Sequence, residues 1–263
     1  MAAAAPVLNR ETRGASAEAA AAAAKAADAG DARLRDMVAE PSSLGIDMAK
    51  RTWFKDALHW GLAFRSSFHG GVANADGSFT LGNGARVRMA ETAQDFKAID
   101  WFVRSLAVYE KAPDDPELSP ESFMRDGTGP SPAIAVLVAS MPAADAGEAL
   151  EEGGATLTDG AADGYVDVAF AMYTTAYSSW RGRCLYLEDL YVVPTCRRAG
   201  VGTELIRVGA AGAEATRCPR MAWVALNWNE PALNCYDKMG AERQVEWTTL
   251  WLKDEQLGGA ALA

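Results

Sequence analysis

The residues that could do chemistry gather around an arginine- and glycine-rich turn that runs from Arg197 to Gly202. An apolar stretch with two carboxylates, Glu188 and Asp189, precedes the turn, and an apolar helical pattern follows it. A glycine turn between a strand and a helix presents backbone N–H groups at the helix N-terminus, which suits a phosphate group. The pattern therefore predicts a phosphate-binding turn with acidic side chains shortly before it in the chain.

The spacing around the turn excludes two common phosphate-binding motifs. The tripeptide Thr203–Leu205 brings no third glycine of the dinucleotide fingerprint G-x-G-x-x-G, and the turn lacks the lysine of the P-loop. The phosphate therefore need not belong to a dinucleotide or to ATP. Three polar residues downstream are further candidates for binding or chemistry: Asn229, Asn234 and Tyr236.

Alternating and helical hydrophobic patterns predict the elements that position these residues. Strands are expected at residues 85–89, 133–140, 166–177, 185–193, 221–226 and 246–252. Helices are expected at residues 92–111, 120–125, 202–215 and 231–239, the last of them ending at Gly240. The order of these elements predicts an α/β fold with a single mixed sheet and helices on its faces.

The N-terminal part, residues 1–84, is expected to be an extension of the main domain. Residues 1–40 are rich in alanine, and an amphipathic helix is expected at about residues 46–66, with Trp53, Ala57 and Trp60 on its apolar face. A linker follows through residue 84. The apolar face could pack on the main domain, bind a partner protein or lie on a membrane surface. The main domain is expected at 85–252 and a tail at 253–263.

The composition limits which binding partners and which cellular compartment we expect. The chain has 263 residues and a formal net charge of −10, which argues against a nucleic-acid surface. Its two histidines and four cysteines show no zinc-ligand or disulfide-framework spacing, so we expect no metal site and an intracellular, cytoplasmic protein. No apolar run is long enough to cross a membrane. Targeting to a plastid or mitochondrion stays open, because the alanine-rich start resembles a transit peptide although it contains acidic residues.

The turn sequence RRAGVG resembles the R/Q-x-x-G-x-G/A signature of the GCN5-related N-acetyltransferase (GNAT) superfamily, which holds the pyrophosphate of acetyl-CoA. The segments Phe170–Val192 and Asn227–Ala241 are similar to the diamine (spermidine/spermine) and thialysine acetyltransferase branch, and Val108–Gly127 fits that branch as well. The resemblance covers about residues 85–252. It implies a GNAT fold with a twisted sheet and a splayed central strand pair, acetyl-CoA as co-substrate, and a homodimer.

The resemblance also implies roles for single residues. Glu188 matches the carboxylate that binds the substrate amine or deprotonates it through water, and Tyr236 matches the general acid for the leaving thiolate. Trp247 matches a tryptophan that lines the amine site, and Glu246 beside it would add negative charge there. Asp189 is expected to point to the opposite face of its strand and to be structural. The residues that the resemblance implies for cofactor binding are Leu190, Tyr191, Val192, Val193, Arg197, Arg198, Ala199, Gly200, Val201, Gly202, Thr203, Asn229 and Asn234.

The implied activity is direct transfer of an acetyl group from acetyl-CoA to a primary amine, and two departures from the branch bear on it. Arg198 replaces a glycine that is common there, and Ser178 replaces an aspartate, with Arg181 and Arg183 close by. The lost anion and the added cations weaken the case for a long polycation. A polyamine, a thialysine-like amino acid and a protein lysine all stay open as acceptors. The alternative is a catalytically silent GNAT-fold subunit of a larger assembly, docked through the helix at 46–66.

Overall fold

The computed structural model of the protein describes residues 45–68, 71–146, 164–253 and 256. Its strands are β1 (Val72–Ala73), β2 (Phe79–Thr80), β3 (Arg86–Met89), β4 (Ala135–Pro142), β5 (Tyr165–Ser178), β6 (Gly182–Val192) and β7 (Met221–Ala222). They form one sheet in the order β1 to β7. Neighbouring strands are antiparallel except β6 and β7, which are parallel, so the sheet is mixed as the sequence predicts.

The helices are α1 (Trp53–Phe68), α2 (Ala93–Tyr109), α3 (Pro120–Thr128), α4 (Ala143–Ala146), α5 (Val201–Ala215) and α6 (Glu230–Lys238). Local signals set two of the starts. Thr92 and Asp95 form a capping box before α2, and the Ser119 side chain caps α3, whose first residue is Pro120. Of the described residues, those from 45 to Trp223 form one compact unit, and those from Val224 onward form a second unit that contains α6.

Helices cover both faces of the sheet. The ring of Phe102 in α2 stacks on Phe170 of β5, with the ring centres 5.6 Å apart. Three residues further along β5, the Tyr173 hydroxyl donates to the Leu205 carbonyl of α5 at 2.7 Å. Because successive strand residues point to opposite faces, this odd spacing places α2 and α5 on different sides of the sheet. The predicted fold class is therefore confirmed.

Helix α1 packs antiparallel along α5, so this part of the N-terminal extension belongs to the main unit. The backbone of Gly61 approaches Val208 and that of Gly212 approaches Ala57 so closely that an added Cβ atom would collide with a carbonyl group. The side chains that α1 buries are Trp53, Phe54, Ala57, Leu58 and Leu62. Of the three uses open to the apolar face, packing on the main domain is the one that the structure shows.

Several element boundaries differ from the sequence expectations. The stretch before residue 84, expected to be a linker, contributes β1 and β2, which are joined through Asp76 and Gly77, a residue pair typical of hairpin turns. Residues 246–252, expected to be a strand, lack regular structure. The parallel strand β7 ends at Ala222 instead of residue 226. The alanine-rich start, residues 1–44, lies outside the described residues.

The close contact between α1 and α5 can be tested with Gly61→Ala. We expect the free energy of unfolding to fall by about 1–3 kcal/mol, because the new methyl group would push α1 away from the Val208 carbonyl. In an open helix position the same change would be stabilising by about 1 kcal/mol. Urea unfolding followed by circular dichroism measures the difference.

The control variant is Gly129→Ala. Gly129 has a φ of −63°, and an added Cβ atom there would lie 3.4 Å from its nearest neighbour. We expect this variant to change the free energy of unfolding by less than about 0.5 kcal/mol. A Gly61→Ala variant that is as stable as the parent protein would contradict the close packing.

Candidate active site

A β-bulge in β6 sets Glu188 apart from the regular ladder. Met172 and Tyr173 are adjacent in β5, but their partners in β6 are Asp189 and Leu187, so Glu188 is the extra residue of the bulged strand. The Glu188 side chain is exposed. Bulges are common beside active sites because they change the direction of a side chain without ending the strand.

Two further carboxylates belong to this cluster: Asp189 follows Glu188 in β6, and Glu110 at the end of α2 lies close enough to Asp189 to act on its charge. Asp189 shares its face of the sheet with Tyr191, whose ring centre lies 6.1 Å from that of Phe102 in α2. Burial, together with the charges of Glu188 and Glu110, raises the pKa of Asp189 to about 6. Burial also raises the pKa of Glu110. The sequence pattern suggested only a structural place for Asp189, whereas a carboxyl that titrates near neutrality is typical of a functional site.

Beyond Tyr186, strand β6 has a single neighbour within residues 45–223. β7 pairs with β6 only at Leu185–Met221 and Tyr186–Ala222, so residues 187–192 pair with β5 alone. This separation agrees with the predicted splay of the central strands. The backbone along this edge can hydrogen-bond an extended ligand. The predicted cofactor residues that lie on or directly after the edge are Leu190, Tyr191, Val192 and Val193.

Residues 197–203 lead from β6 into the first turn of α5. Gly200 is the helix N-cap with a φ of 84°, and Arg198 also has a positive φ, 68°. This left-handed conformation explains why glycine is common at the position of Arg198 in the branch that the sequence resembles. An added Cβ atom at Gly202 would lie 3.2 Å from the Val192 side chain. The N–H groups of the first turn point out of the helix start, where a phosphate oxygen can accept their hydrogen bonds.

The Arg197 side chain anchors the turn to two neighbouring elements. Its Nε atom donates to the Val192 carbonyl at 2.9 Å. Its guanidinium carbon lies 4.8 Å from the ring centre of Tyr109 in α2 and 5.6 Å from that of Tyr191 in β6. These cation–π contacts hold the start of the turn in place. Arg197 therefore positions the turn, while the Arg198 side chain is exposed.

The hairpin between β5 and β6 contains the residues at which the sequence departs from the branch that it resembles. The structure shows what these residues contact. The Ser178 hydroxyl oxygen accepts hydrogen bonds from the N–H groups of Trp180 and Arg181, each at 3.3 Å. Arg183 donates to the Met48 carbonyl at 2.8 Å, so its charge is held by the segment before α1. Ser178 thus stabilises the turn, and the Arg183 charge has a structural contact of its own.

The remaining predicted site residues belong to the C-terminal unit: Asn229, Asn234, Tyr236, Glu246 and Trp247. Asn229 is the N-cap of α6, and its side-chain oxygen accepts a hydrogen bond from the Ala232 N–H at 3.4 Å. The helix ends before Gly240, which has a φ of 85° and terminates it as predicted. The half-buried Tyr236 lies in the last two turns of this helix. Glu246 and Trp247 follow in the irregular segment, and both are exposed.

The described residues contain no candidate metal site and no candidate membrane span. In residues 45–68, 71–146, 164–253 and 256, no group of three or more histidine, cysteine, aspartate or glutamate side chains is arranged to hold a metal ion. No helix in the described part of the chain combines the length and the apolar character needed to cross a membrane.

Known proteins are similar in sequence to the part of the chain that contains this turn and strand. Residues 138–241 match the acetyltransferase (GNAT) family. A thialysine N-epsilon-acetyltransferase from Bos taurus is 33% identical over 145 residues, which are 55% of this chain and 77% of the relative. The chain belongs to the acetyltransferase (GNAT) family. This GNAT acetyltransferase is also 33% identical over 161 residues to a thialysine N-epsilon-acetyltransferase from Mus musculus, covering 61% of this chain and 86% of the relative.

The family membership makes this protein an acetyl-CoA-dependent N-acetyltransferase. A solved structure, an integron cassette protein from the mobile metagenome of V. cholerae, is similar to 67% of the chain over 98% of its own length, with 19% identity and a TM-score of 0.47. The turn at 197–203 suits the diphosphate of acetyl-CoA, because it combines a helix start, a Gly200 backbone without a side chain and the exposed charge of Arg198.

The carboxylate cluster predicts a pH-dependent stability. Because the pKa of Asp189 is raised to about 6 in the folded protein, the folded state holds this proton more tightly than the unfolded chain. Its ionisation therefore lowers the free energy of unfolding as pH rises from about 4 to about 6. The side chain of Asp189→Asn stays neutral at every pH. We therefore expect the free energy of unfolding of the variant, relative to that of the parent protein, to rise by about 1–3 kcal/mol from pH 4 to pH 7.

Urea titrations of both proteins at a series of pH values measure this gain. The control is Asp115→Asn in the exposed loop after α2, which removes a carboxylate outside the cluster and should not reproduce this gain. An Asp189→Asn difference that does not change between pH 4 and pH 7 would refute the raised pKa.

Proposed function

We propose that this acetyltransferase transfers the acetyl group directly from acetyl-CoA to a primary amine that binds beside the bulge of β6. The observation that carries the proposal is the succession of two features along one segment: the carboxylates at 188–189, and the phosphate-suited turn at 197–203. Carboxylates attract a cationic amine, and a helix start attracts an anion. One continuous segment, β6 with the turn that follows it, thus offers a complementary electrostatic environment to each of the two substrates.

Glu188 assists the deprotonation of the amine in this proposal. An alkylammonium has no free electron pair, so it must lose a proton before it can attack a thioester. The exposed Glu188 carboxylate can bind the ammonium group and relay its proton to water. Asp189 and Glu110 lie close behind it, and their negative charge favours the cationic form of the amine during binding.

The remaining groups serve the acetyl donor, a thioester that supplies the activated acyl group. Residues 190–193 offer their backbone to the cofactor arm, residues 197–203 hold the pyrophosphate, and the Asn229 and Asn234 amides bind the arm from α6. A backbone N–H on the β6 edge can polarise the thioester carbonyl. Tyr236 is the general acid, because its phenol can protonate the departing thiolate. The largest contribution to the rate enhancement is the proximity of the two bound substrates.

We propose the side-chain amine of a small, thialysine-like amino acid as the acceptor, with Glu246 and Trp247 lining its site. Two relatives named as thialysine N-epsilon-acetyltransferases support this choice. The position of Ser178 supports it too, since a hydroxyl that stabilises the hairpin turn offers no charge to the far end of a long polycation. A polyamine and a protein lysine are the competing acceptors, and a panel of the three amines with thiol release as readout separates them.

The structural alternative, a silent subunit docked through the N-terminal helix, depends on an accessible apolar face. That face is buried against α5, so it does not support the alternative. We retain a homodimer in an intracellular compartment as the proposed state of the enzyme. Absence of both amine acetylation and coenzyme A binding would sink the proposed function.

The role of Tyr236 predicts a specific kinetic change in Tyr236→Phe. We expect kcat to fall about 100-fold or more while the KM for acetyl-CoA changes by less than about threefold, because a general acid acts in the transition state. Thiol release under saturating amine measures both constants. Tyr165→Phe, at the start of β5 against Arg86, is the matched control and should leave kcat unchanged. Unchanged turnover in Tyr236→Phe would refute its role.

Glu188→Gln should lower kcat/KM for the amine by about 10- to 100-fold at pH 7. The loss should shrink as pH rises, because more of the amine is then already deprotonated in solution. A loss that is the same at pH 7 and pH 10 would contradict the assignment of Glu188 to deprotonation.

A further inference from the structure

Two side chains of the N-terminal segment contact the residues that form the start of α5. Arg65 of α1 donates to Glu204 through Nη2 at 2.6 Å and through Nε at 3.1 Å, both to Oε2. The two side chains are only 11% and 14% exposed. The Asn83 amide, in the turn before β3, donates to the Ala199 carbonyl at 3.4 Å. Both contacts reach the turn at 197–203 or the helical turn that follows it.

The packing of α1 makes the Arg65 contact a fixed one. Arg65 lies opposite Glu204, Gly61 opposite Val208, and Ala57 opposite Gly212, so the antiparallel helices meet once in every turn. At the other end of α1, the Lys55 ammonium donates to the Gly127 carbonyl at 3.0 Å. Helix α1 is therefore held along its length, and Arg65 is presented to α5 by a rigid element.

Glu204 creates an electrostatic conflict that Arg65 relieves. Glu204 lies in the first turn of α5, next to the place where an anionic phosphate would bind. Burial alone would raise the pKa of Glu204, but hydrogen bonds from Arg65 and Arg207 hold that pKa below its usual value. The carboxylate therefore stays ionised, and without a buried cation its charge would repel the phosphate. Arg207 is 51% exposed, so water screens its charge more than that of Arg65.

We propose that Arg65 is a positioning residue of the coenzyme site: by neutralising Glu204 it lets the start of α5 bind the pyrophosphate of acetyl-CoA. The proposal rests on the proposed function, in which the turn at 197–203 binds this group. The N-terminal segment is then part of the cofactor site, although it lies before the family match, which begins at residue 138. Asn83 supports the same turn through the Ala199 carbonyl.

The test uses the full chain and compares Arg65→Met with the parent protein. We expect the KM for acetyl-CoA and the dissociation constant of coenzyme A, measured by calorimetry, to rise about 5- to 30-fold. We expect kcat and the KM for the amine to change less than about twofold, since Arg65 touches neither reacting group. The double variant Arg65→Met/Glu204→Gln removes the repulsive charge and should return to within about threefold of the parent.

Two further variants control for folding and for general effects of charge. Arg65→Lys keeps the cation and should also stay within about threefold. If Arg65→Met does not fold, Arg65→Gln takes its place, because glutamine can hydrogen-bond Glu204 without neutralising it and should also weaken coenzyme A binding about 5-fold or more. Arg207→Met removes the exposed partner of the same Glu204 and should change the coenzyme A affinity less than about twofold. Unchanged affinity in folded Arg65→Met, an equal effect of Arg207→Met, or no recovery in the double variant would overturn the proposal.

The coenzyme A titration separates this proposal from the proposed function. If the parent protein binds coenzyme A but acetylates no amine, the proposed function fails and the Arg65 variants still decide the positioning role. If the parent protein does not bind coenzyme A, both proposals are overturned.

Discussion

Helix α5 is fixed on two sides by contacts that leave it almost no freedom to shift. The Tyr173 hydroxyl binds the Leu205 carbonyl from the sheet, and the Tyr173 ring lies against Gly209, where a Cβ atom would come within 2.7 Å of it. On another side, Gly212 admits the backbone of α1. Because Gly209 and Gly212 have no side chain, both neighbours can pack closely against the helix. A helix start can bind a phosphate well only if its N–H groups stay in place, so the turn at 197–203 depends on this close packing.

The bulge in β6 solves a second geometric problem. A regular strand would send Glu188 and Asp189 to opposite faces and keep Glu188 within the ladder. The extra residue leaves Asp189 on the face of α2 near Glu110, while Glu188 is exposed at the point where the ladder is disturbed. The result is an exposed carboxylate next to a half-buried one. The same strand then continues to Val192, so the bulge does not disturb the entry into the turn.

The sequence was informative where local pattern decides structure. The helix after Gly202, the hairpin around Ser178 and the end of α6 at Gly240 all follow from glycine placement and periodicity. The bulge at Glu188 could not be foreseen, because it is a property of the register between β5 and β6 and not of either strand alone. The linker expectation before residue 84 was wrong because its polar composition outweighed the Asp76-Gly77 hairpin signal. The expected strand at 246–252 was wrong because aromatic and β-branched residues favour a strand but do not by themselves form one.

The Arg65–Glu204 pair shows why this part of the site could not be predicted from the sequence. In the sequence, Glu204 is simply an acidic residue in the first turn of a helix, where its charge interacts favourably with the helix dipole. Its effect on a bound phosphate depends on a cation that lies 139 positions away in the chain. In a protein with a net charge of −10, an anionic substrate needs such local compensation at its own site. The proposed reaction must bring this anion together with a cationic amine. Placing arginines around the start of α5 and carboxylates at the bulge of β6 separates the two charges along one segment, so each substrate meets its complement.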